Sequence, residues 1–133
     1  KALESSVQAV RDGGIIILVA GCQEGLGEDT FGRWVNEARS PEDIKNRFLH
    51  HFELGGHKAY AICRVLEKCQ VLLVSCMDQA MVEKTFMIHR LTVEDALEYA
   101  YQQVGNNPSV VVIPEAPTIA VQVGNDAKPK PGE

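Results

Sequence analysis

Two short stretches of the sequence carry residue types that could bind a small anion. The first is Gly55-Gly56-His57-Lys58, which opens a predicted helix. Backbone N–H groups at a helix start favour anions, and the histidine and lysine beside them could bind a carboxylate. The same four residues also fit an ordinary helix start with two solvated side chains. Spacing alone leaves both interpretations open.

The second stretch is the glycine-rich loop of residues 21–27, which follows an apolar run. Its glycines suit tight turns and the close approach of another surface. The GxGxxG fingerprint of dinucleotide-binding loops is absent from it. A ligand contact through Gln23, Glu24, Gly25 and Gly27 and a purely structural connection are equally compatible with this pattern.

The remaining polar residues form no catalytic or metal-binding set. His50 and His51 are adjacent on a predicted helix, so their side chains point about 100° apart and cannot chelate one metal together. Helical metal ligands are spaced at i, i+4, as in HExxH. Asp78 and Glu115 follow predicted strands, but no other residue pairs with them. The sequence therefore predicts no complete catalytic centre and no metal site in this chain.

Composition excludes several classes of function. The 133 residues carry a net charge of −5, and the lysines and arginines are scattered, which argues against a nucleic-acid partner. No apolar run approaches the roughly 20 residues of a membrane-spanning helix. The four cysteines form no CxxC pair, and three of them lie in or beside apolar runs. We expect reduced thiols and a cytoplasmic protein.

Apolar periodicity and capping signals predict an alternation of helices and buried strands. Ser40-Pro41 and Thr92 are strong helix starts, and Gly105 is a natural helix end. Helices are predicted over residues 1–11, 28–38, 41–52, 57–68, 78–84 and 93–104. Strands are predicted over residues 15–20, 71–75, 86–88 and 110–113, with 119–123 as an optional edge strand.

This alternation is typical of an α/β fold. We predict a three-layer α/β/α domain over residues 1–123, with a mainly parallel, Rossmann-like sheet of four to five strands. Residues 124–133 are predicted to form a flexible tail. In open parallel sheets, ligands bind beyond the carboxyl ends of the strands. The loop of residues 21–27 should lie at that edge.

Five stretches in the same order resemble one family, the nickel-dependent lactate racemases. They are Lys1-Ala2-Leu3, Asp12 to Ala20, Cys22 to Gly27, Ser40 to Ile44 and Phe52 to Ala61. The resemblance extends over nearly the whole chain up to about Pro114. It rests on the order and spacing of the five stretches together rather than on one diagnostic motif.

The resemblance implies that this chain is the C-terminal domain of a two-domain isomerase, a racemase or epimerase of a 2-hydroxy acid. In the family, the N-terminal domain carries the catalytic histidines and the lysine that holds the nickel-pincer nucleotide. The C-terminal domain closes the cleft and helps to bind the substrate carboxylate. Its own N-terminal domain would thus be the partner of this chain. Alone, the chain is expected to hold no cofactor and to be inactive.

The resemblance also assigns roles to particular residues. Lys1 matches the lysine of a Tyr-Gln-x-x-Lys-like motif, and the chain begins there without a methionine, so we expect an upstream portion. Substrate binding is expected of Lys1, His57 and Lys58. A cofactor-facing role is expected of the loop with Gln23, Glu24, Gly25 and Gly27. Many relatives carry Gly-Gly-His-Lys where characterised lactate racemases depart from it, so another 2-hydroxy acid or a sugar acid is an equal candidate for the substrate.

The alternative hypothesis is a stand-alone α/β module that binds a small anion or another protein. It predicts a self-sufficient site that binds an anion without nickel. The two hypotheses differ in whether the rest of an active site lies elsewhere in a longer polypeptide.

Overall fold

The computed structural model describes residues 1–105 and 107–124, so most of the predicted tail lies outside the described residues. Six α-helices, three strands and one 3-10 turn make up the described part. In chain order they are α1 (Ala2–Ser6), β1 (Ile15–Val19), α2 (Asp29–Glu37), α3 (Pro41–His50), α4 (Gly56–Lys68), β2 (Gln70–Val74), α5 (Gln79–Glu83), β3 (Ile88–Arg90), α6 (Val93–Val104) and the 3-10 turn (Ala116–Thr118).

The three strands form one parallel sheet in the order β1-β2-β3. The central strand β2 is buried on both faces because its side chains alternate between two cores. Val71 and Leu73 pack in one hydrophobic cluster, and Leu72 and Val74 pack in another. The sequence of such a strand is a continuous apolar run, which is why the strand is predictable from sequence.

Helices cover both faces of the sheet. On one face, α1, α4 and α5 contribute Leu3, Val65 and Val82 to the core. On the other face, α6 contributes Ala96. A third cluster joins α2 and α3 to the outer side of α4, with Trp34 at its centre. The predicted α/β class, the parallel sheet and the helical layers on both faces are therefore confirmed.

The predicted helix caps form as expected. The Ser40 hydroxyl accepts a hydrogen bond from the Asp43 N–H at 3.4 Å, and the Thr92 hydroxyl accepts one from the Asp95 N–H at 3.1 Å. Each satisfies a backbone donor that the first helical turn leaves free. Helix α6 ends at Gly105 with φ +93°, a conformation that favours glycine.

The predicted sheet of four to five strands is wrong, because the described residues form a sheet of three. Residues 110–113 and 119–123 were predicted as strands, but neither lies in the sheet. Val110 and Val112 are 60% and 83% exposed. Apolar composition indicates a segment that could pair, but a strand exists only where another strand satisfies its backbone groups.

Two other predicted boundaries shift for identifiable reasons. The helix predicted over residues 1–11 ends at Ser6. The Val7 carbonyl, which a longer helix would bond to its own backbone, accepts a hydrogen bond from the Lys68 ammonium at 2.9 Å instead. The strand predicted over residues 86–88 begins at Ile88, because Phe86 turns the chain with φ +62°.

In the described part of the chain, none of the helices has the length and apolar character needed to cross a membrane.

Leu72 offers a direct test of the two-sided core. It has no exposed surface, so Leu72→Ala should lower the free energy of unfolding by about 2 to 5 kcal/mol. Leu91 is 78% exposed, and Leu91→Ala should change it by less than about 0.5 kcal/mol. Urea unfolding monitored by circular dichroism measures both. Equal effects would show that Leu72 is not in a packed core.

Candidate functional site

The topology brings two of the predicted site segments to one edge of the sheet. Helix α1 leads into β1 and helix α4 leads into β2, and the two strands are parallel. The start of α4 lies beside the end of the loop that follows β1, because the Glu28 carboxylate is directly against Gly55. The Gly55–Lys58 segment and the loop of residues 21–27 are thus neighbours at the edge where β1 ends, as expected for an open parallel sheet. Lys1 precedes α1, whose Glu4 lines a cleft together with His57.

Ser75 ties the strand ends together. Its hydroxyl donates to the Gly21 carbonyl at 3.0 Å and accepts from the Met77 N–H at 3.1 Å. The carbonyl of Ser75 contacts His89 Nε2 at 3.1 Å, so β3 is linked to the same point. Sequence reasoning missed Ser75, although a polar residue at the end of an apolar strand was a usable signal.

The two glycines before His57 are explained by packing. A Cβ at Gly56 would lie 2.5 Å from Cζ2 of Trp34, and Gly55 has φ +95° with the Glu28 carboxylate directly against it. Trp34 is 1% exposed. Helix α4 can therefore begin beside α2 only where side chains are absent. The Gly-Gly pair fixes the position of His57.

A hydrogen-bonded ion cluster holds the segment that precedes these glycines. Glu53 accepts from the Trp34 indole N–H at 2.9 Å and pairs with Arg33. Arg47 lies over the Trp34 ring at 4.7 Å and pairs with Glu37 at 2.6 Å. The indole N–H is thus satisfied although the ring is buried. The segment leading into α4 is held from two helices.

His57 presents a hydrogen-bond donor to the solvent. Its Nδ1 accepts from the Gly55 N–H at 3.2 Å, so in the neutral ring Nε2 carries the proton. The side chains of His57 and Lys58 are exposed, as is that of Lys1 at the start of α1. Within residues 1–105 and 107–124, no hydrogen bond or ion pair joins Lys1 to either of them.

The backbone at the start of α4 is mostly occupied. The Gly56 N–H donates to the Glu53 carbonyl at 3.0 Å, and the Lys58 N–H donates to the Gly55 carbonyl at 3.2 Å. Together with the Gly55 N–H, three donors are engaged within the turn. An anion at this position would therefore be bound mainly by side chains rather than by the helix start.

The glycine-rich loop borders a separate, acidic cleft of about 530 Å³. Glu24, Gly25 and Gly27 line it, and Gln23 is exposed beside it. The charged residues around the cleft are four carboxylates and one guanidinium, namely Glu24, Glu28, Asp29, Glu37 and Arg33. This charge does not suit a phosphate, so a cofactor-facing role for the loop would depend on its backbone and on Gln23.

The described cysteines are free thiols with different surroundings. Cys63 and Cys69 are buried and Cys76 is exposed beside Ser75. Burial raises the pKa of the Cys63 thiol to about 11, so that this group is protonated at neutral pH. A buried, protonated thiol is a poor nucleophile. Cys63 therefore serves as part of the core.

The described residues form a parallel α/β fold and contain no group of three or more His, Cys, Asp or Glu side chains that could hold a metal ion. The sequence profile of the lactate racemase C-terminal domain matches residues 1–122. The chain therefore belongs to the lactate racemase C-terminal domain family.

Individual relatives agree with that membership. The lactate racemase of Thermoanaerobacterium thermosaccharolyticum is 28% identical over 127 residues, and that of Lactiplantibacillus plantarum is 25% identical over 127 residues. Each alignment covers 92% of this chain and 30% of the relative. The solved structure of the Thermoanaerobacterium lactate racemase apoprotein superimposes with a TM-score of 0.74 and 29% identity, covering 80% of this chain and 27% of that one. The chain thus spans about 30% of the length of these relatives.

A matched pair of glycine substitutions tests the packing at the site. Gly56→Ala should destabilise the protein by about 1 to 3 kcal/mol, because the methyl group overlaps Trp34. Gly32 lies within α2 with its nearest neighbour at 3.9 Å, so Gly32→Ala should stabilise by about 0.5 to 1 kcal/mol. Thermal or urea unfolding gives both values. A stabilising Gly56→Ala would contradict the proposed fit.

Alkylation by iodoacetamide at pH 8 should rank the cysteines by burial. Cys76 should react first and Cys63 last, because the raised pKa and the burial of Cys63 both suppress its thiolate. Mass spectrometry of the digested protein measures the order, and labelling in denaturant, where all four should react alike, is the control. Native Cys63 reacting as fast as Cys76 would show that it is accessible.

Proposed function

We propose that this chain forms the C-terminal side of the active-site cleft in a nickel-pincer-dependent racemase or epimerase of a 2-hydroxy acid. What supports the proposal is membership of the lactate racemase C-terminal domain family, together with the position of the Gly55–Lys58 segment beside the loop that follows β1. The matched relatives are named lactate racemases. In the full-length protein the chain would act as part of a cytoplasmic isomerase.

The chemistry of the Lys1, His57 and Lys58 side chains suits a carboxylate. Two ammonium groups and one ring N–H are donors, whereas the protein as a whole carries a net charge of −5. Charge-assisted hydrogen bonds to a carboxylate are stronger than neutral ones and fix its orientation. Holding the carboxylate would set the direction of the C2–H bond of a 2-hydroxy acid. These residues would thus contribute to catalysis by positioning the substrate.

The cofactor would be held by the other side of the cleft. A nickel-pincer nucleotide, when bound, supplies an acceptor and donor of hydride for the 2-hydroxy acid. The acidic cleft beside the glycine-rich loop does not fit the phosphate of such a group. Residues of this chain would therefore bind and orient the substrate and cover the cleft, with the loop of residues 21–27 facing the cofactor through uncharged groups.

The role of Lys1 can be measured in the full-length polypeptide. Lys1→Met should lower kcat/KM for the 2-hydroxy acid about 10- to 100-fold, which corresponds to the loss of one charge-assisted hydrogen bond. Lys84→Met is the matched control, because Lys84 is an exposed lysine that follows α5, away from the carboxyl edge. Lys1→Met with the kinetics of the control would rule out the proposed contact.

His57 allows a graded version of the same experiment. His57→Ala removes the outward N–H, whereas the side-chain amide of His57→Gln can supply a donor in a similar place. KM should therefore rise about 10-fold in the alanine variant, as expected for one lost hydrogen bond, and be partly restored in the glutamine variant. Circular dichroism should show the same fold in both. Equal losses in both variants would argue for a role in packing instead.

The stand-alone module is tested with the chain by itself. Calorimetric titration of the isolated chain with a 2-hydroxy acid, in the absence of nickel, should show no saturable binding if this chain supplies only one side of the binding cleft. Saturable binding to the isolated chain would favour the alternative hypothesis of a self-sufficient anion site.

A further inference from the structure

Ser75 is a buried hydroxyl residue at the carboxyl edge of the sheet. It directly follows β2 and is only 9% exposed. Its hydroxyl donates to the Gly21 carbonyl of the loop after β1 and accepts from the Met77 N–H, while its carbonyl contacts His89 of β3. Because the single hydroxyl proton is used in the bond to Gly21, Ser75 has no side-chain donor left for a ligand. Its role must be carried out through the segments that it joins.

The loop that Ser75 holds has a backbone conformation that depends on fixed contacts. Cys22 directly follows the carbonyl that Ser75 binds, and its φ is +50°. This left-handed conformation is unfavourable for a residue with a Cβ and persists only where the surrounding contacts fix the chain. On its other side, the Cys22 carbonyl accepts a hydrogen bond from the Gly25 N–H at 3.0 Å. Loss of the Ser75 hydroxyl should therefore let the loop leave this conformation.

The far end of the same loop is in contact with the start of α4. Glu28 follows the loop and caps α2 by accepting a hydrogen bond from the Thr30 N–H at 3.2 Å. Its carboxylate lies directly against Gly55. The Gly55 N–H in turn donates to Nδ1 of His57 at 3.2 Å. A displacement of the loop is thus passed through Glu28 and Gly55 to the histidine ring.

We infer that Ser75 is a positioning residue of the candidate substrate site, which holds the loop of residues 21–27 and thereby fixes His57. This inference rests on the proposed function, in which His57 binds the substrate carboxylate. Ser75 acts through the loop and touches no substrate. Its hydrogen bonds are formed in the folded protein before a ligand arrives, so the conformational freedom of the loop is not lost again on binding.

Amide hydrogen exchange of the full-length polypeptide, measured by mass spectrometry, tests the inference without relying on activity. In Ser75→Ala, residues 21–27 should exchange about 10-fold faster and residues 53–57 about threefold faster, as expected for the local loss of one hydrogen bond. Thr85→Val is the matched control, because it removes another buried hydroxyl, which bonds to the Val82 carbonyl in its own turn. Equal exchange of both segments in the two variants would overturn the inference.

Kinetics give the second measurement, with the 2-hydroxy acid that the full-length polypeptide turns over fastest. Ser75→Ala should raise KM about threefold to 10-fold, and Ser75→Thr, which keeps the hydroxyl, should restore KM in part. In a His57→Ala background, Ser75→Ala should change KM less than about twofold, because two residues that act through one contact are not additive. A smaller folded fraction would lower kcat and leave KM unchanged. Multiplicative increases of KM in the double variant would contradict an action through His57.

The two measurements separate this inference from the proposed function. Faster exchange of both segments in a polypeptide that turns over no 2-hydroxy acid would support Ser75 as the residue that fixes the loop and His57, while the proposed function fails. Turnover that depends on His57 but not on Ser75, with unchanged exchange in Ser75→Ala, would support the proposed function and refute the inference.

Discussion

The burial of Trp34 against Gly56 is the contact on which the arrangement of the candidate site depends. The indole joins α2 to the first turn of α4, its N–H is satisfied by Glu53, and Arg47 covers its ring. A bulky side chain at Gly56 would push α4 away from α2. The position of His57 follows from this contact, because His57 is the next residue in the chain.

The sheet supplies the second constraint. Parallel strands end at one edge, and the helices that lead into them begin at that edge. Ser75 then holds the loop after β1 against the loop after β2. The loop after β1 borders an acidic cleft, and the Glu28 carboxylate at its end lies against Gly55.

Local signals predicted the helices well. The Ser40 and Thr92 caps and the end of α6 at Gly105 all follow from backbone groups that a nearby residue satisfies. The strand around Leu72 was also predictable, since a two-sided core requires an uninterrupted apolar run. The end of the helix predicted over residues 1–11 was not predictable, because the Lys68 ammonium that binds the Val7 carbonyl is distant in sequence. The strand predicted over residues 110–113 was wrong, because pairing depends on strands distant in sequence and this segment lies outside the sheet.

By itself, the sequence determined the α/β class, the order of the elements as far as α6 and membership of the lactate racemase C-terminal domain family, because these depend on local periodicity, capping and a linear pattern of motifs. Only the tertiary structure decided why Gly55 and Gly56 stand before His57, that Ser75 links the strand ends, and that three strands rather than four or five form the sheet in the described part of the chain. Each of these depends on a contact between residues that are distant in the chain, and neither spacing nor composition identifies which distant partner a residue will meet.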